Sequence, residues 1–168
     1  MELKEKLRET FDQLIHRGHD QEPVSKFLRQ KMEYVSPDAT LKDASQKMWE
    51  ADVGALPVIK DGKAVGFLTD RDIVIRSLAR GKDPQRTKVA EVMTGDVYTC
   101  RKDDSIKEAV HLMDRYKIQR LLVVDEFSRP LGVISLGEIA KNCNASLLSE
   151  TVKHIKEAQH ERKPYAPH

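Results

Sequence analysis

Two short stretches of the chain carry a hydroxyl and a carboxylate three residues apart. "GFLTDRDIV", Gly66 to Val74, holds Gly66, Thr69 and Asp72; "GVISLGEIA", Gly132 to Ala140, holds Gly132, Ser135 and Glu138. In each, an apolar strand-like run ends at the hydroxyl and helical spacing begins at once. An ionised carboxylate only accepts hydrogen bonds, and the charge-assisted bonds it accepts are roughly twice as strong as neutral ones. A hydroxyl both donates and accepts. At a helix start the pair lies beside backbone N–H groups that have no partner inside the helix. Such a pair can cap the helix, or it can bind a ligand that offers hydroxyl groups, with helix-start N–H groups left for an anion. Glu138 keeps the charge of Asp72 but adds a methylene, so the two copies are not equivalent.

The elements around these stretches also occur twice. "PDATLKDASQKMWEADVGALPVI" from Pro37 lies over "KDDSIKEAVHLMDRYKIQRLLVV" from Lys102 at an offset of 65 residues. Asp38, Lys42, Ala44, Met48, Leu56 and Val58 recur as Asp103, Lys107, Ala109, Met113, Leu121 and Val123. One extra residue enters the second copy where "DEFSRPLG" replaces "KDGKAVG", at a hairpin tip that tolerates insertion. Leu41, Ala44, Met48 and Ala51 have helical spacing, with Asp38 or Thr40 as the cap. "ALPVI" and "AVGFLT" then read as strands joined at "KDGK". "DRDIVIRSLARG" predicts a second helix stopped by Gly81. Short strands are expected at "MEYV" and "DVYTC". The unit is β-α-β-β-α, used twice, in an α/β chain of the α+β type. It is flanked by amphipathic helices carrying Leu3, Leu7, Phe11 and Leu14, and Leu148, Val152 and Ile155. These flanks are expected to pack on the repeats or to form a dimer surface. The segments are 1–20 for the first helix, 21–86 and 87–143 for the two repeats, 144–160 for the last helix and 161–168 for a disordered tail.

Composition narrows the function classes. Of 168 residues 39% are hydrophobic and 33% charged, with a formal net charge of +2. This is a globular balance without the basic footprint of a nucleic-acid binder. The longest apolar runs are four or five residues, too short to span a bilayer. The N-terminus is charged from its second residue and does not read as a secretory signal, so the expected location is cytoplasmic. Cys100 and Cys143 lack CxxC spacing and read as reduced thiols. The six histidines show no HExxH arrangement; His16 and His19, three apart, read as a polar helix end rather than a ligand pair, and no metal is expected. There is no P-loop or GxGxxG. Trp49 is expected in core or interface packing.

The doubled unit resembles a tandem pair of CBS domains, the regulatory modules named after cystathionine β-synthase. "VSPDATLKDA", "DVGALPVI" and "DGKAVGFLTDRDIV" carry the likeness in the first copy. "VMTGDVYTC", "IQRLLVVD" and "LGVISLGEIA" carry it in the second, and it covers roughly Val24 to Cys143. The resemblance implies two copies packed sheet to sheet with pseudo-two-fold symmetry, and clefts for AMP, ADP, ATP or S-adenosylmethionine. In that family the G-h-x-T/S-x-x-D signature holds the ribose, which here assigns Thr69 and Asp72. Chemistry agrees, since one carboxylate can accept from both vicinal hydroxyls of a ribose. By position the resemblance adds Thr94, Val97, Tyr98, Ile118 and Gln119 to this first site, with Arg120 and Arg71 as phosphate contacts. The weaker second site would use Ser135, Glu138, Met32, Glu33, Val53 and Gly54, with Glu33 an awkward wall for an anion.

The expected protein is a sensor of adenosyl ligands rather than an enzyme, with no required cofactor. It would act as a homodimer or through a regulated partner of unknown identity, without nucleic acid or membrane. The rivals are a ligand-free interaction module and a small nucleotide-processing enzyme.

Overall fold

The computed structural model describes residues 19–28, 31–141 and 145–161. Its two longest repeat helices are one design written twice. α1 (Leu41–Ala51) starts on Thr40, whose Oγ1 accepts from Asp43 N–H at 3.1 Å and donates to Asp43 Oδ2 at 2.7 Å. α3 (Ile106–Tyr116) starts on Ser105, with Glu108 in the same roles at 3.2 and 2.8 Å. Such reciprocal caps satisfy donors that the first turn leaves open. Of the two caps expected for the first helix, Thr40 is the one used. Leu41, Ala44 and Met48 are buried along α1; Ile106, Ala109, Val110 and Met113 are buried along α3. Each helix ends on a left-handed residue, Asp52 at φ 51° and Lys117 at φ 54°, which turns the chain into a strand.

β1 (Ala55–Lys60) pairs antiparallel with β2 (Lys63–Thr69), from Ala55 opposite Thr69 to Lys60 opposite Lys63. Asp61 and Gly62 at the tip both have positive φ, 51° and 74°, the turn whose twist suits a two-residue hairpin. α2 (Asp70–Arg76) follows without a break. In the second copy β3 (Thr99–Arg101), β4 (Arg120–Val124) and β5 (Pro130–Ser135) form a sheet in the order β3-β4-β5, and α4 (Leu136–Ala140) follows β5. The extra residue sits in a longer turn organised by Asp125. Its carboxylate accepts from the N–H groups of Phe127 and Arg129 at 2.9 Å each and from Arg129 Nε at 2.6 Å. Burial pushes the Asp125 carboxyl up, but these bonds from Arg129 and Phe127 outweigh it and hold the group below its usual range.

Three local expectations change. "MEYV" is not a strand; only Val35 makes a parallel bridge, to Val58. "DVYTC" contributes strand only from Thr99. "DRDIVIRSLARG" is not one helix, since α2 stops at Arg76 and a 3-10 turn, Leu78–Arg80, ends on Gly81 at φ 68°. The β-branched run Ile73, Val74 and Ile75 weakens helical continuation.

The chain divides into two compact units. Among the described residues, one is built from 19–28, Cys100–Leu121, 134–141 and 145–161, the other from 31–99 and Leu122–Val133. Within each, the segment leading one copy is paired with the helix start of the other. Val24 N–H bonds Asp104 O at 2.8 Å and Ile106 N–H bonds Glu22 O at 3.0 Å. Sixty-five positions on, Val89 N–H bonds Ala39 O at 2.9 Å and Leu41 N–H bonds Thr87 O at 3.0 Å. Val24 and Val89 are both fully buried. The second unit's core gathers Val35, Leu41, Ala44, Met48, Leu56, Val58, Leu68, Ile73, Val89 and Val92.

α5 (Ala145–Glu161) lies against α3 and α4 through buried Leu148, Thr151 and Ile155, while Val152 is only half-buried. His154 Nδ1 stands 2.8 Å from Asp114 Oδ1, which also holds Lys117 Nζ at 3.1 Å. The N-terminal amphipathic helix, His16, Cys143 and the tail beyond Glu161 lie outside the described residues. Trp49 does not enter the core: it is 81% exposed on α1.

Candidate functional site at the head of α2

Thr69 closes β2 and caps α2. Its Oγ1 accepts from Asp72 N–H at 3.1 Å and donates to Asp72 Oδ2 at 2.7 Å. Asp72 Oδ2 also accepts from Thr69 N–H at 3.0 Å. The pair is thus a complete reciprocal cap, chemically like those of α1 and α3. Burial separates it from them, because Asp43 and Glu108 are exposed and Asp72 is 4% exposed. A carboxylate so far from water needs a counter-charge. Arg76, one turn on, supplies it with Nε 3.5 Å from Asp72 Oδ1. Arg76 was not singled out in the sequence; the signal was the acid–base pair at i,i+4 on a helix.

Arg76 Nη1 also donates to the carbonyls of Val92 and Met93, at 3.0 Å each. Next along the chain, Phe67 and Thr94 exchange backbone bonds of 2.9 and 2.8 Å. A Cβ on Gly66 would stand 2.6 Å from Thr94 O, so the signature's glycine is there for close backbone approach. The unit therefore brings Thr69, Asp72 and Thr94 to one junction. Val97 and Tyr98 are half-buried in the same unit, and Tyr98 O accepts from Leu122 N–H at 3.0 Å. Arg71 is exposed.

The expectation of free N–H donors for phosphate at this helix start does not hold. Asp70 N–H bonds Gly54 O at 3.1 Å, Arg71 N–H bonds Asp70 Oδ1 at 2.7 Å, and Asp72 N–H is taken by Thr69. A phosphate here must be met by side chains.

Ile118, Gln119 and Arg120 belong to the other unit, where α3 turns into β4; Arg120 is half-buried and Gln119 exposed. Gln119 O accepts from Leu136 N–H at 3.0 Å, the counterpart of the Gly54–Asp70 bond. Ser135 Oγ donates to Glu138 Oε2 and accepts from Glu138 N–H, both at 3.2 Å. The hydroxyl-to-carboxylate contact of this cap is longer than that of the first copy, 3.2 against 2.7 Å. Met32, Glu33, Val53 and Gly54 are half-buried in the Asp72 unit. Glu33 is not a bare acidic wall: Lys31 Nζ lies at 2.8 Å and Lys47 Nζ at 3.8 Å, and the Lys31 hydrogen bond holds its carboxyl below the usual range.

Cys100 is 4% exposed; burial, aided by the charge of Asp104, pushes its thiol up to about 12, so it stays protonated. Among the described residues no three His, Cys, Asp or Glu side chains gather as a metal site, and no helix is long and apolar enough to cross a membrane.

A doubled strand–helix unit, an exchanged lead segment and a glycine–hydroxyl–carboxylate junction define a tandem strand–helix repeat. The CBS domain model matches residues 24–78 and 89–144, and the chain belongs to the CBS-domain family. It is 40% identical over 108 residues to the CBS domain-containing protein YhcV of Bacillus subtilis, covering 64% of this chain and 76% of that one. It is 35% identical over 122 residues to Hypoxic response protein 1 of Mycobacterium tuberculosis, covering 72% and 85%. Among solved structures it is similar to the CBS domain pair of protein MJ0100 in complex with 5′-methylthioadenosine and S-adenosyl-L-methionine. That match has a TM-score of 0.63 and 25% identity, covering 71% of this chain and 93% of the other.

Proposed function

We propose that the chain is a regulatory module that binds an adenosyl compound, AMP, ADP, ATP or S-adenosylmethionine, with Thr69 and Asp72 holding the ribose. The observation that carries this reading is the adenosyl pair held by MJ0100, a protein similar to this chain across both repeats. The chemistry at α2 supports it. A buried, counter-charged carboxylate meets little competition from water, so a hydroxyl donated to it is a strong contact. Thr94, Val97 and Tyr98, in the same unit, offer apolar surface and backbone groups to the base. Ser135 and Glu138, the counterpart pair in the second copy, are the weaker ribose contact in this reading. The module signals as a homodimer or through a partner, from the cytoplasm, without catalysis.

Calorimetry tests the reading. Adenosine compounds should bind with adenine preferred over guanine, and equal binding of AMP and GMP would count against it. Asp72→Ala should weaken the tighter event by roughly 1.5–3 kcal/mol, about tenfold to over a hundredfold. Glu138→Ala should disturb it little. The complete Thr69–Asp72 cap favours one rival, a ligand-free interaction module in which these residues only cap. A parent chain that binds no adenosine compound would establish that rival, whereas a folded Asp72→Ala variant that keeps full affinity would show that Thr69 and Asp72 only cap.

A further inference from the structure

We propose that Arg76 is a positioning residue that couples the Asp72 carboxylate to the 92–94 segment, and so sets the placement of Thr94 and the chain beyond it according to what occupies Asp72. The ligand half of this inference rests on the adenosyl reading above; the anchoring half does not.

The junction holds the 92–94 segment in two ways. One is backbone to backbone: Phe67 and Thr94 exchange two bonds, and Thr94 O lies against Gly66. That tether carries no net charge. The other is Arg76. Its Nη1 meets two consecutive carbonyls, Val92 O and Met93 O, that follow the short Val89–Glu91 3-10 turn. Its Nε faces Asp72 Oδ1 at 3.5 Å.

A guanidinium is a rigid planar fork, so its arms cannot move independently. Rotation that changes the Nε–Asp72 distance also changes the Nη1 bonds. The side chains of Asp72 and Arg76 are 6% and 24% exposed, so solvent screens their attraction weakly. Any group that donates to Asp72 or draws on the guanidinium therefore shifts the charge balance at one end of the fork and is felt at Val92 and Met93. The segment so held runs directly into Val97 and Tyr98 and then β3. Arg76 thus links the helix that carries the ribose carboxylate to the chain that opens the second copy.

The test uses the full chain and three variants. Hydrogen exchange without ligand reads the anchor: Arg76→Ala should speed exchange at the Val92, Met93 and Thr94 amides while leaving the amides of α1 unchanged. Unchanged exchange at these three amides would overturn the anchor. Arg76→Lys keeps a charge near Asp72 but cannot reproduce the fork, so it should melt close to the parent yet still exchange fast at 92–94. Slow, parent-like exchange in Arg76→Lys would show that the ion pair alone suffices and overturn the fork. The coupling is read with 5′-methylthioadenosine as probe. Bound probe should alter exchange at 92–94 in the parent and not in Arg76→Ala, whose affinity should fall about tenfold. An identical probe response in both sinks the coupling. A parent that binds neither this probe nor AMP sinks the adenosyl reading and the coupling together, while the probe-free exchange still decides the anchor.

Discussion

Gly66, Thr69 and Asp72 each answer to a different physical demand, and each can be tested alone. Gly66 has an ordinary backbone conformation; what it needs is the absence of a side chain, because Thr94 O stands where a Cβ would go. Thr94 cannot easily yield, being bonded to Phe67 on both sides. Gly66→Ala should therefore cost about 1–3 kcal/mol, the usual range for overpacking, and urea unfolding will measure it. A variant as stable as the parent would mean the junction is soft. Thr69→Ala removes one capping oxygen and should cost about 1 kcal/mol. The sequence showed the hydroxyl–carboxylate pair but left cap and ligand contact as alternatives, and the cap is now a fact of the structure. It did not show why Asp72 is buried, because Arg76's other partners, Val92 and Met93, lie sixteen and seventeen residues away. No local pattern marks such a contact.

The elements were more legible, for a reason visible in α1 and α3. Their capping residues, apolar stripe and left-handed ends recur at a fixed offset, so each copy vouches for the other. Where copies diverged the reading lost precision: one lead segment makes a bridge at Val35 and the other the short strand β3. The exchange of lead segments was not legible at all, because Val24 and Val89 match in both copies and either could pair with either helix. α5 was read correctly as amphipathic, but only the structure gives its seat. Ile155 is 1% exposed there, so Ile155→Ala should cost about 2–5 kcal/mol in urea unfolding; a loss under about 1 kcal/mol would mean α5 contributes little. The polar edge of that seat predicts a pH dependence. The His154 hydrogen bond, with help from Lys117, holds the Asp114 carboxyl below its ordinary 3.8. A carboxylate whose pKa is lowered on folding adds stability above the unfolded value and loses it as pH falls through the folded one. The parent should thus be more stable than Asp114→Asn at pH 7, and the gap should close as pH drops below about 4. A gap that persists at pH 2.5 would show that Asp114 acts by packing and not by charge.

At the scale of the whole molecule, a regulatory module must convert ligand binding into a change that something else can read. A ligand shifts an equilibrium only by its differential affinity for the two states, so the first quantity to establish is how much free energy binding supplies. At about 100 times its dissociation constant a ligand specific to the folded state adds about 2.7 kcal/mol. For a chain of this size that raises the melting temperature by roughly 5–11 °C. Assembly is the second quantity. The amphipathic flanks motivate a homodimer, which light scattering should report near twice 19.2 kDa; a monomeric mass at high concentration would sink it. The two measurements combine. If ligand acts through assembly, the melting temperature should rise with protein concentration, and the steepness of that rise should change when AMP or S-adenosylmethionine is present. If ligand acts within one chain, the shift should be the same at every concentration. Asp72→Ala separates local from global effects, provided its apoprotein melts near the parent. At the same ligand concentration it should then lose about half or more of the ligand-induced shift and keep the parent's concentration dependence. A variant that melts normally and retains the full shift would remove Asp72 from the ligand site and leave it as the cap of α2.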